Sequence, residues 1–159
     1  MLIIDVLTIF PKMISSYTEE SILGRAQKKN VLTVTPRDIR DWAKDKHHTT
    51  DDKPYGGGPG MVMRPEPLVD AIRDLKKITK RTKVILTSPR GELFTQAHAR
   101  ALAQEKHLIF LCGRYEGIDH RIEEHLADFV FSTGPYVLTG GELPALTMID
   151  AIARHIPGV

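Results

Sequence analysis

The stretch at residues 108–119 has the residue types and spacing of a binding or catalytic site. An apolar run, Leu-Ile-Phe-Leu-Cys, ends in glycine at 113, and a second glycine at 117 closes a segment that holds Arg114, Tyr115 and Glu116. Bulky apolar runs are typical of strands buried on both faces, and glycine permits positive φ and close approach of backbone to a ligand. The sequence therefore predicts that a strand ends here and that a site offering a cation, an aromatic ring and a carboxylate begins.

Two other segments follow predicted strands and are rich in glycine, proline and hydroxyl groups. Residues 87–91 follow the strand at 84–87, and residues 132–141 follow the strand at 129–131. The carboxyl ends of parallel strands meet at one edge of a sheet, where ligands bind. We therefore expect the three loops to form one site. Its backbone groups and hydroxyls suit a neutral, planar, hydrogen-bonding ligand such as a nucleoside better than a polyphosphate.

Several familiar catalytic signatures are absent from the sequence. No stretch has the G-x-x-x-x-G-K-[ST] phosphate cradle, the G-x-G-x-x-G dinucleotide fingerprint or the G-x-S-x-G nucleophile elbow. The missing fingerprint argues against a dinucleotide-dependent dehydrogenase. Cys112 is the only cysteine, and its apolar surroundings favour packing over catalysis. A disulfide within the chain is impossible, which fits a reducing cytoplasm.

A metal site at the histidine pair is the weaker of two interpretations. His47, His48, Asp51 and Asp52 are possible ligands, but their spacing is not diagnostic of a metal. Hydrogen bonding within a loop is favoured, and we predict no metal site. The other histidines are expected at the surface, at the ends of helices or strands: His98, His107, His120, His125 and His155.

Length and composition indicate an ordinary soluble domain. The chain has 159 residues, of which 42% are hydrophobic and 26% charged, enough to bury a core. The net charge of +2 does not by itself require a nucleic-acid partner. The start lacks the basic region of a signal peptide, and no segment approaches the roughly 18 apolar residues of a membrane span. We expect a single cytoplasmic domain over residues 1–159.

Strands alternate with helices along the chain, which predicts an α/β fold with a mainly parallel sheet flanked by helices. The expected strands are residues 2–10, 31–35, 84–87, 107–112 and 129–131. Two short helices are expected within residues 12–29, and the others are expected to begin near residues 65, 95, 118 and 143.

The connection at residues 36–67 is far longer than the usual connection of about 4–6 residues. It contains Trp42 and Tyr55, which plain linkers seldom carry, so we favour an ordered binding loop. The helix that follows has a basic outer face, with six Lys or Arg residues between positions 71 and 83 against Asp74 alone. A solvated surface is the favoured interpretation of this face, and contact with RNA phosphates is the alternative.

Three stretches, in order along the chain, carry a resemblance to a known family. Residues 52–61 are DKPYGGGPGM, residues 111–119 are LCGRYEGID and residues 136–145 are YVLTGGELPA. They resemble the signature stretches of bacterial tRNA (guanine-N1)-methyltransferases of the SPOUT class, and the resemblance covers the whole chain. It implies a deep trefoil knot towards the C-terminal half, a homodimer, and S-adenosylmethionine bound in the knot near the subunit interface.

The resemblance also implies the reaction and the residues around the cofactor. The reaction is methyl transfer from S-adenosylmethionine to N1 of the guanine immediately 3′ of the tRNA anticodon. Residues matching the family's cofactor contacts by position come from all three loops: Leu86, Thr87, Ser88, Pro89, Gly113, Tyr115, Glu116, Ser132, Thr133, Gly134, Pro135, Tyr136, Val137, Leu138, Gly140, Gly141 and Pro144.

Two charged residues have implied roles in the chemistry. Guanine N1 carries a proton, so attack on the methyl group needs a base and a donor that stabilises the charge developing towards O6. Arg154 matches the family's arginine donor, although without the resemblance it would be interpreted as a helix C-terminal cation, worth roughly 0.3–1 kcal/mol. Glu116 matches a carboxylate tied to guanine positioning and to a magnesium requirement.

The resemblance also implies that the general base lies outside these residues. In the family it is an aspartate in a linker that precedes a helical tRNA-binding domain, and both would follow Val159. We therefore expect an N-terminal domain, without the C-terminal tRNA-binding domain, that binds the cofactor but methylates tRNA poorly.

The tRNA itself is expected to contact basic residues and the glycine-rich loop. The candidates are Arg37, Arg40, Lys44, His47, Tyr55, Gly58, Pro59, Gly60 and Met61. An alternative from a different class is a non-catalytic RNA- or nucleotide-binding module of the same fold. Such a module would have no need to combine Glu116 and Arg154 with cofactor loops.

Overall fold

A computed structural model describes residues 1–54 and 56–159 and contains a five-stranded sheet. The strands lie in the order β2-β1-β6-β5-β7, and every neighbouring pair is parallel. The strands are β1 (Leu2–Thr8), β2 (Leu32–Asp38), β5 (Thr82–Leu93), β6 (His107–Cys112) and β7 (Phe129–Ser132), and a separate antiparallel ribbon pairs β3 (Asp51–Asp52) with β4 (Val62–Met63).

Helices cover both faces of the sheet. They are α1 (Pro11–Thr18), α2 (Ser21–Lys28), α3 (Pro65–Leu75), α4 (Gln96–Leu102), α5 (His120–His125) and α6 (Glu142–Ala153), with a 3-10 turn at Ile39–Trp42. Helices α1, α2, α4 and α6 pack on one face, and α3 and α5 pack on the other. The prediction of a mainly parallel sheet flanked by helices is confirmed. No helix in the described residues is long and apolar enough to cross a membrane.

The central strand β6 is buried from end to end because helices cover both of its faces. Leu108 and Phe110 point into one core, and Ile109 and Leu111 point into the other, as the period of two in a strand requires. The predicted bounds of this strand are confirmed. The two short helices expected within residues 12–29 are also confirmed, as α1 and α2.

The prediction that residues 87–91 form a loop is wrong in part, since β5 continues to Leu93. The strand pairs with β7 on both sides of a register shift between Thr87 and Glu92, so residues 88–91 leave the ladder without ending the strand. Gly91 allows the strand to resume. A Cβ there would lie 2.6 Å from Val130 O and 2.7 Å from Phe131 N, so only glycine fits against the β7 backbone.

A buried polar cluster lies at the opposite end of the strands from the predicted site. Asp5 is fully buried on β1, Arg37 Nε donates to its Oδ1 at 2.7 Å, and His107 Nε2 lies 2.8 Å from its Oδ2. The expectation that His107 is a surface residue is wrong, because the order of the strands brings it beside Asp5. Arg37, a candidate for tRNA contact, is an ion-pair partner of this carboxylate.

The long connection is ordered in the part that the structure describes. Trp42 is half-buried, packs against the core beneath α3, and its Nε1 donates to Asp74 Oδ2 at 2.9 Å. The segment ends in the β3–β4 ribbon, which carries the glycine-rich loop between its strands. Trp42 therefore anchors the segment, and the ribbon presents the loop. The trefoil knot stays a prediction of the resemblance.

Candidate active site

A cavity of about 310 Å³ lies at the carboxyl edge of the sheet. It is bounded by the end of β5, the loop after β6 and the loop between β7 and α6. The predicted cofactor residues that line it are Leu86, Thr87, Ser88, Pro89, Gly113, Tyr115, Glu116, Ser132, Thr133, Tyr136, Val137, Leu138, Gly140, Gly141 and Pro144. The structure thus brings together the three segments that the sequence places after strands.

Two predicted cofactor residues do not line the cavity. Gly134 is buried in a tight turn in which Ser132 Oγ donates to Gly134 O at 2.9 Å and accepts from Gly134 N at 3.1 Å. Pro135 is exposed beside it. Their contact with the cofactor stays a prediction. Seven further residues line the cavity: Arg90, Arg114, Gly117, Ile118, Glu123, Phe131 and Thr139. Most adjoin the motifs in sequence, but Glu123 comes from α5 and had no sequence indication.

The two loops after β6 and β7 pack directly on each other. Gly141 N donates to Gly113 O at 2.9 Å, and Thr87 Oγ1 donates to Leu111 O at 3.1 Å. A Cβ on Gly141 would lie 2.8 Å from Cys112 Cα and 2.9 Å from Gly113 N. Glycine at 141 is therefore required by backbone packing beneath the cavity.

The loop after β6 uses the conformational freedom of glycine at one of its two glycines. Gly117 has a positive φ of 122°, whereas Gly113 does not adopt a positive φ. The other left-handed residue is Tyr115, with φ of 61°, a conformation that costs a non-glycine residue roughly 1–2 kcal/mol. This turn aims Tyr115 and Glu116 outward, where both are exposed.

The cation of this segment points beneath the cavity. Arg114 Nε donates to Glu142 Oε2 at 2.9 Å, and the guanidinium lies 4.7 Å from the centre of the Phe10 ring. Glu142 is fully buried, and its Oε1 accepts from Thr8 Oγ1 at 2.7 Å. Arg114 is therefore a largely buried ion-pair partner that also lines the cavity, and Glu116 is the exposed carboxylate of the segment.

The glycine-rich loop lies against Glu116. Glu116 N donates to Met61 O at 2.9 Å, and Met63 N donates to Gly117 O at 2.9 Å. A Cβ on Gly60 would lie 2.8 Å from Glu116 Oε1, so the loop packs on this carboxylate. Gly58 and Pro59 are exposed in the same loop, and Tyr55 lies outside the described residues. The predicted RNA loop and the cavity thus meet at Glu116.

Comparison with known proteins identifies the family. The family model described as tRNA (Guanine-1)-methyltransferase TrmD matches residues 2–159. The chain belongs to this family. The resemblance drawn from the three motifs is therefore confirmed.

Individual relatives agree with the family assignment. A tRNA (guanine-N(1)-)-methyltransferase from Myxococcus xanthus is 55% identical over 157 residues, which cover 98% of this chain and 63% of that protein. One from Syntrophotalea carbinolica is 52% identical, with 98% of this chain and 62% of that protein covered. The crystal structure of the tRNA (m1G37) methyltransferase from Aquifex aeolicus superposes with a TM-score of 0.91 at 40% identity, over 99% of this chain and 71% of that one. The chain spans about 63% of the length of the curated relatives that it matches.

The arginine that matches the family's donor lies far from the cavity of its own chain. Arg154 follows the last residue of α6, whereas the cavity lies at the first turn. The helix has 12 residues, so the two ends are about 18 Å apart. Arg154 lies on an exposed stripe of the helix with Leu143, Thr147 and Asp150. The role proposed for Arg154 depends on this distance between the residue and the cavity of its own chain.

The basic candidates for tRNA contact differ in their availability. Arg40 is half-buried and its Nη1 donates to Ile9 O at 2.7 Å, so it holds the end of β1. Lys44 Nζ forms an exposed ion pair with Asp70 at 2.7 Å, and His47 is exposed. Lys44 and His47 are therefore the more accessible of the predicted contacts. These three residues and Arg37 remain predictions for RNA binding.

The described residues contain no cluster of three or more His, Cys, Asp or Glu side chains that could hold a metal ion. His48 Nδ1 instead lies 3.1 Å from Arg40 O, a hydrogen bond within the loop. Glu116 and Glu123 are the carboxylates that line the cavity, and neither belongs to a metal-binding cluster. The magnesium requirement implied by the resemblance stays a prediction, and none of the proposed steps uses a metal ion.

Cys112 is expected to be inert in the folded protein. Its side chain is fully buried, and burial, together with the charge of Glu142, raises the pKa of the thiol well above its ordinary value. We expect an aromatic disulfide reagent at pH 8 to modify no cysteine in the native protein and one cysteine per chain in denaturant. Absorbance of the released thiolate measures this, and rapid native modification would contradict the packing described.

Proposed function

We propose that this chain binds S-adenosylmethionine in the cavity and serves methyl transfer to N1 of the guanine immediately 3′ of a tRNA anticodon. The observation that carries the proposal is that two family motif segments line one cavity at the carboxyl edge of the sheet together with the end of β5, while the third motif packs on Glu116 beside it. The bound cofactor would supply an electrophilic methyl group on a sulfonium. The residues of the chain would bind, orient and enclose the two reactants.

The lining suits such a cofactor in size and chemistry. The volume, about 310 Å³, is within the usual range of about 300–1,000 Å³ for ligand pockets. Leu86, Ile118 and Phe131 supply apolar surface for a purine, and the loop backbones supply hydrogen-bonding groups. The charged lining is mixed, with Glu116 and Glu123 beside Arg90 and Arg114, which suits a ligand that carries a sulfonium, an ammonium and a carboxylate.

We assign guanine positioning to Glu116 and the glycine-rich loop. Glu116 lines the cavity and also a neighbouring cavity of about 610 Å³ formed with the β3–β4 ribbon. A guanine placed between the cofactor and this ribbon would meet a carboxylate able to accept from its N1–H or amino group. The loop at residues 56–61 would cover it, because this loop already packs on Glu116.

The position of Arg154 supports a homodimer. At about 18 Å from its own cavity, Arg154 would have to act on the cavity of a second copy. An antiparallel, two-fold pairing through the exposed stripe of α6 would bring Arg154 of one copy towards the cavity end of the other. There it would donate to guanine O6 as charge develops.

The surface beside this stripe has the composition of an interface. Phe10, Met13, Tyr17 and Leu143 are 43%, 37%, 49% and 55% exposed, although all are large and apolar or aromatic. Tyr17 Oη donates to Asp150 Oδ2 at 2.8 Å, which joins α1 to the stripe. Contiguous exposed apolar surface of this kind marks protein association. A second copy of the chain bound to this surface would also complete the site, because it would bring its Arg154 towards the cavity.

The proposal is tested by calorimetry with S-adenosylmethionine and by transfer of a labelled methyl group to unmodified tRNA. We expect one cofactor per chain to bind, and label to reach tRNA with guanine after the anticodon but not a matched tRNA with adenine there. Failure to bind the cofactor contradicts the proposal, and tRNA binding without cofactor binding would favour the non-catalytic module.

A further inference from the structure

The Arg114–Glu142 ion pair links three segments beneath the cavity. Glu142 is the first residue of α6, is fully buried, and accepts from Arg114 Nε at 2.9 Å and from Thr8 Oγ1 at 2.7 Å. Arg114 also donates through Nη1 to Thr139 O at 3.3 Å. The loop after β6, the loop before α6 and the end of β1 therefore share one charged junction.

The residues around the ion pair leave space for it. Gly140 lies directly over it, and a Cβ there would lie 2.6 Å from both Arg114 Cζ and Glu142 Oε2. The Arg114 side chain is only 16% exposed, and its guanidinium packs on the Phe10 ring and lies 3.2 Å from Met13 Sδ. A buried ion pair with further hydrogen bonds is stable only in a fixed geometry.

We propose that Arg114 and Glu142 are positioning residues that hold the two cavity loops in the arrangement that binds the cofactor. Neither carboxylate oxygen of Glu142 is free to face the cavity, because Thr8 and Arg114 occupy them. The pair acts through backbone instead. Arg114 fixes Thr139, and Glu142 fixes the start of α6, so the cavity residues Gly140 and Gly141 between them are held from both sides.

The pair also connects the cavity to the exposed apolar surface. Phe10 and Met13, which contact the guanidinium, belong to the surface assigned above to a second copy. A copy docked there would exclude water from Arg114, and a charge-assisted hydrogen bond is stronger where water is excluded. Cofactor affinity is therefore expected to depend on this junction as well as on direct contacts.

The test compares Glu142→Gln, Arg114→Gln and the double variant with a matched core variant, Ile72→Val. Ile72 is fully buried under α3 on the other face of the sheet, so its variant reports the effect of lost stability alone. We expect each single variant to raise the Kd for S-adenosylmethionine roughly tenfold or more, because a buried charge is left unpaired. The double variant should bind more tightly than the product of the two single effects predicts, and Ile72→Val should change the Kd less than about twofold.

Hydrogen exchange on the cofactor-free protein provides a second readout. In Glu142→Gln we expect faster exchange of amides in residues 113–117 and 139–142, including the Gly141 N–H bonded to Gly113 O, with β2 and α3 unchanged. Uniformly faster exchange, or unchanged loops, overturns the inference. The inference rests on the proposed function, but a different result would overturn each of them. A wild-type chain that binds no S-adenosylmethionine defeats the function, whereas loops unchanged by the substitution defeat the positioning role.

Discussion

Gly141→Ala is expected to destabilise the protein by about 3 kcal/mol and to weaken S-adenosylmethionine binding by roughly 100-fold. The added Cβ would lie 2.8 Å from Cys112 Cα and 2.9 Å from Gly113 N, and it would also collide with Thr87 Oγ1. Two of these neighbours are backbone atoms of the central strand and the loop after it, so they cannot rotate away. The strain would be relieved by separating the two loops, and that change opens the cavity.

Gly113→Ala is the matched control for the unfolding measurement. Gly113 lies in the same junction, does not have a positive φ, and an added Cβ would meet only the Ile118 side chain, with Cγ1 at 3.4 Å and Cδ1 at 3.7 Å. We expect its free energy of unfolding in urea to be unchanged or raised by about 0.5 kcal/mol, through lower entropy of the unfolded chain. Equal stability of the two variants would show that the loops are not packed as described.

The second large effect is expected from Asp5→Ala, which should destabilise the fold by about 3 kcal/mol at pH 7. The substitution leaves His107, which is fully buried, and Arg37 without their carboxylate. The expected loss of stability lies at the lower end of the range for a broken buried ion pair, because the Arg37 side chain is 39% exposed and is partly solvated. Urea unfolding measures the change.

The same carboxylate sets a pH dependence. Burial raises the pKa of Asp5, but hydrogen bonds from His107 and Arg37 outweigh burial and lower the pKa below its ordinary value of 3.8. As pH falls below that value, the unfolded chain takes up this proton before the folded chain does, so stability is lost on acidification. Asp5→Ala should remove this contribution. Asp41→Ala is the control, because Asp41 is exposed, and an equal loss of stability in the two variants would contradict the assigned burial.

Sequence reasoning located the site because two strong local patterns agree. The apolar run of β6 ends at Cys112, as predicted, and the order of strands and loops required the three segments to meet at one edge. Two of the three family motifs lie in these segments. Alternation of elements and hydrophobic runs are local properties, so they survive folding largely unchanged.

The features that sequence reasoning missed depend on contacts between distant residues. Pro89 and Gly91 have the local character of a loop, but pairing with β7 extends β5 past both. Glu142 is fully buried, although glutamate is almost never buried unless paired, and its partner is 28 residues away. Asp5 and His107 are 102 residues apart and meet only because β1 and β6 are neighbours. No periodicity in the sequence indicates such pairs.

The length of α6 limits which insertions and deletions the chain tolerates. Its exposed stripe carries Leu143 near the cavity and Arg154 at the far end, on one side of a helix that is otherwise buried. One inserted residue would turn everything beyond it by about 100° and advance it by about 1.5 Å. Arg154 would then leave the exposed stripe for a half-buried side of the helix, while Ile149 and Ala153 would turn towards solvent. The number of residues between Glu142 and Arg154 is therefore expected to stay constant, even where those residues themselves change.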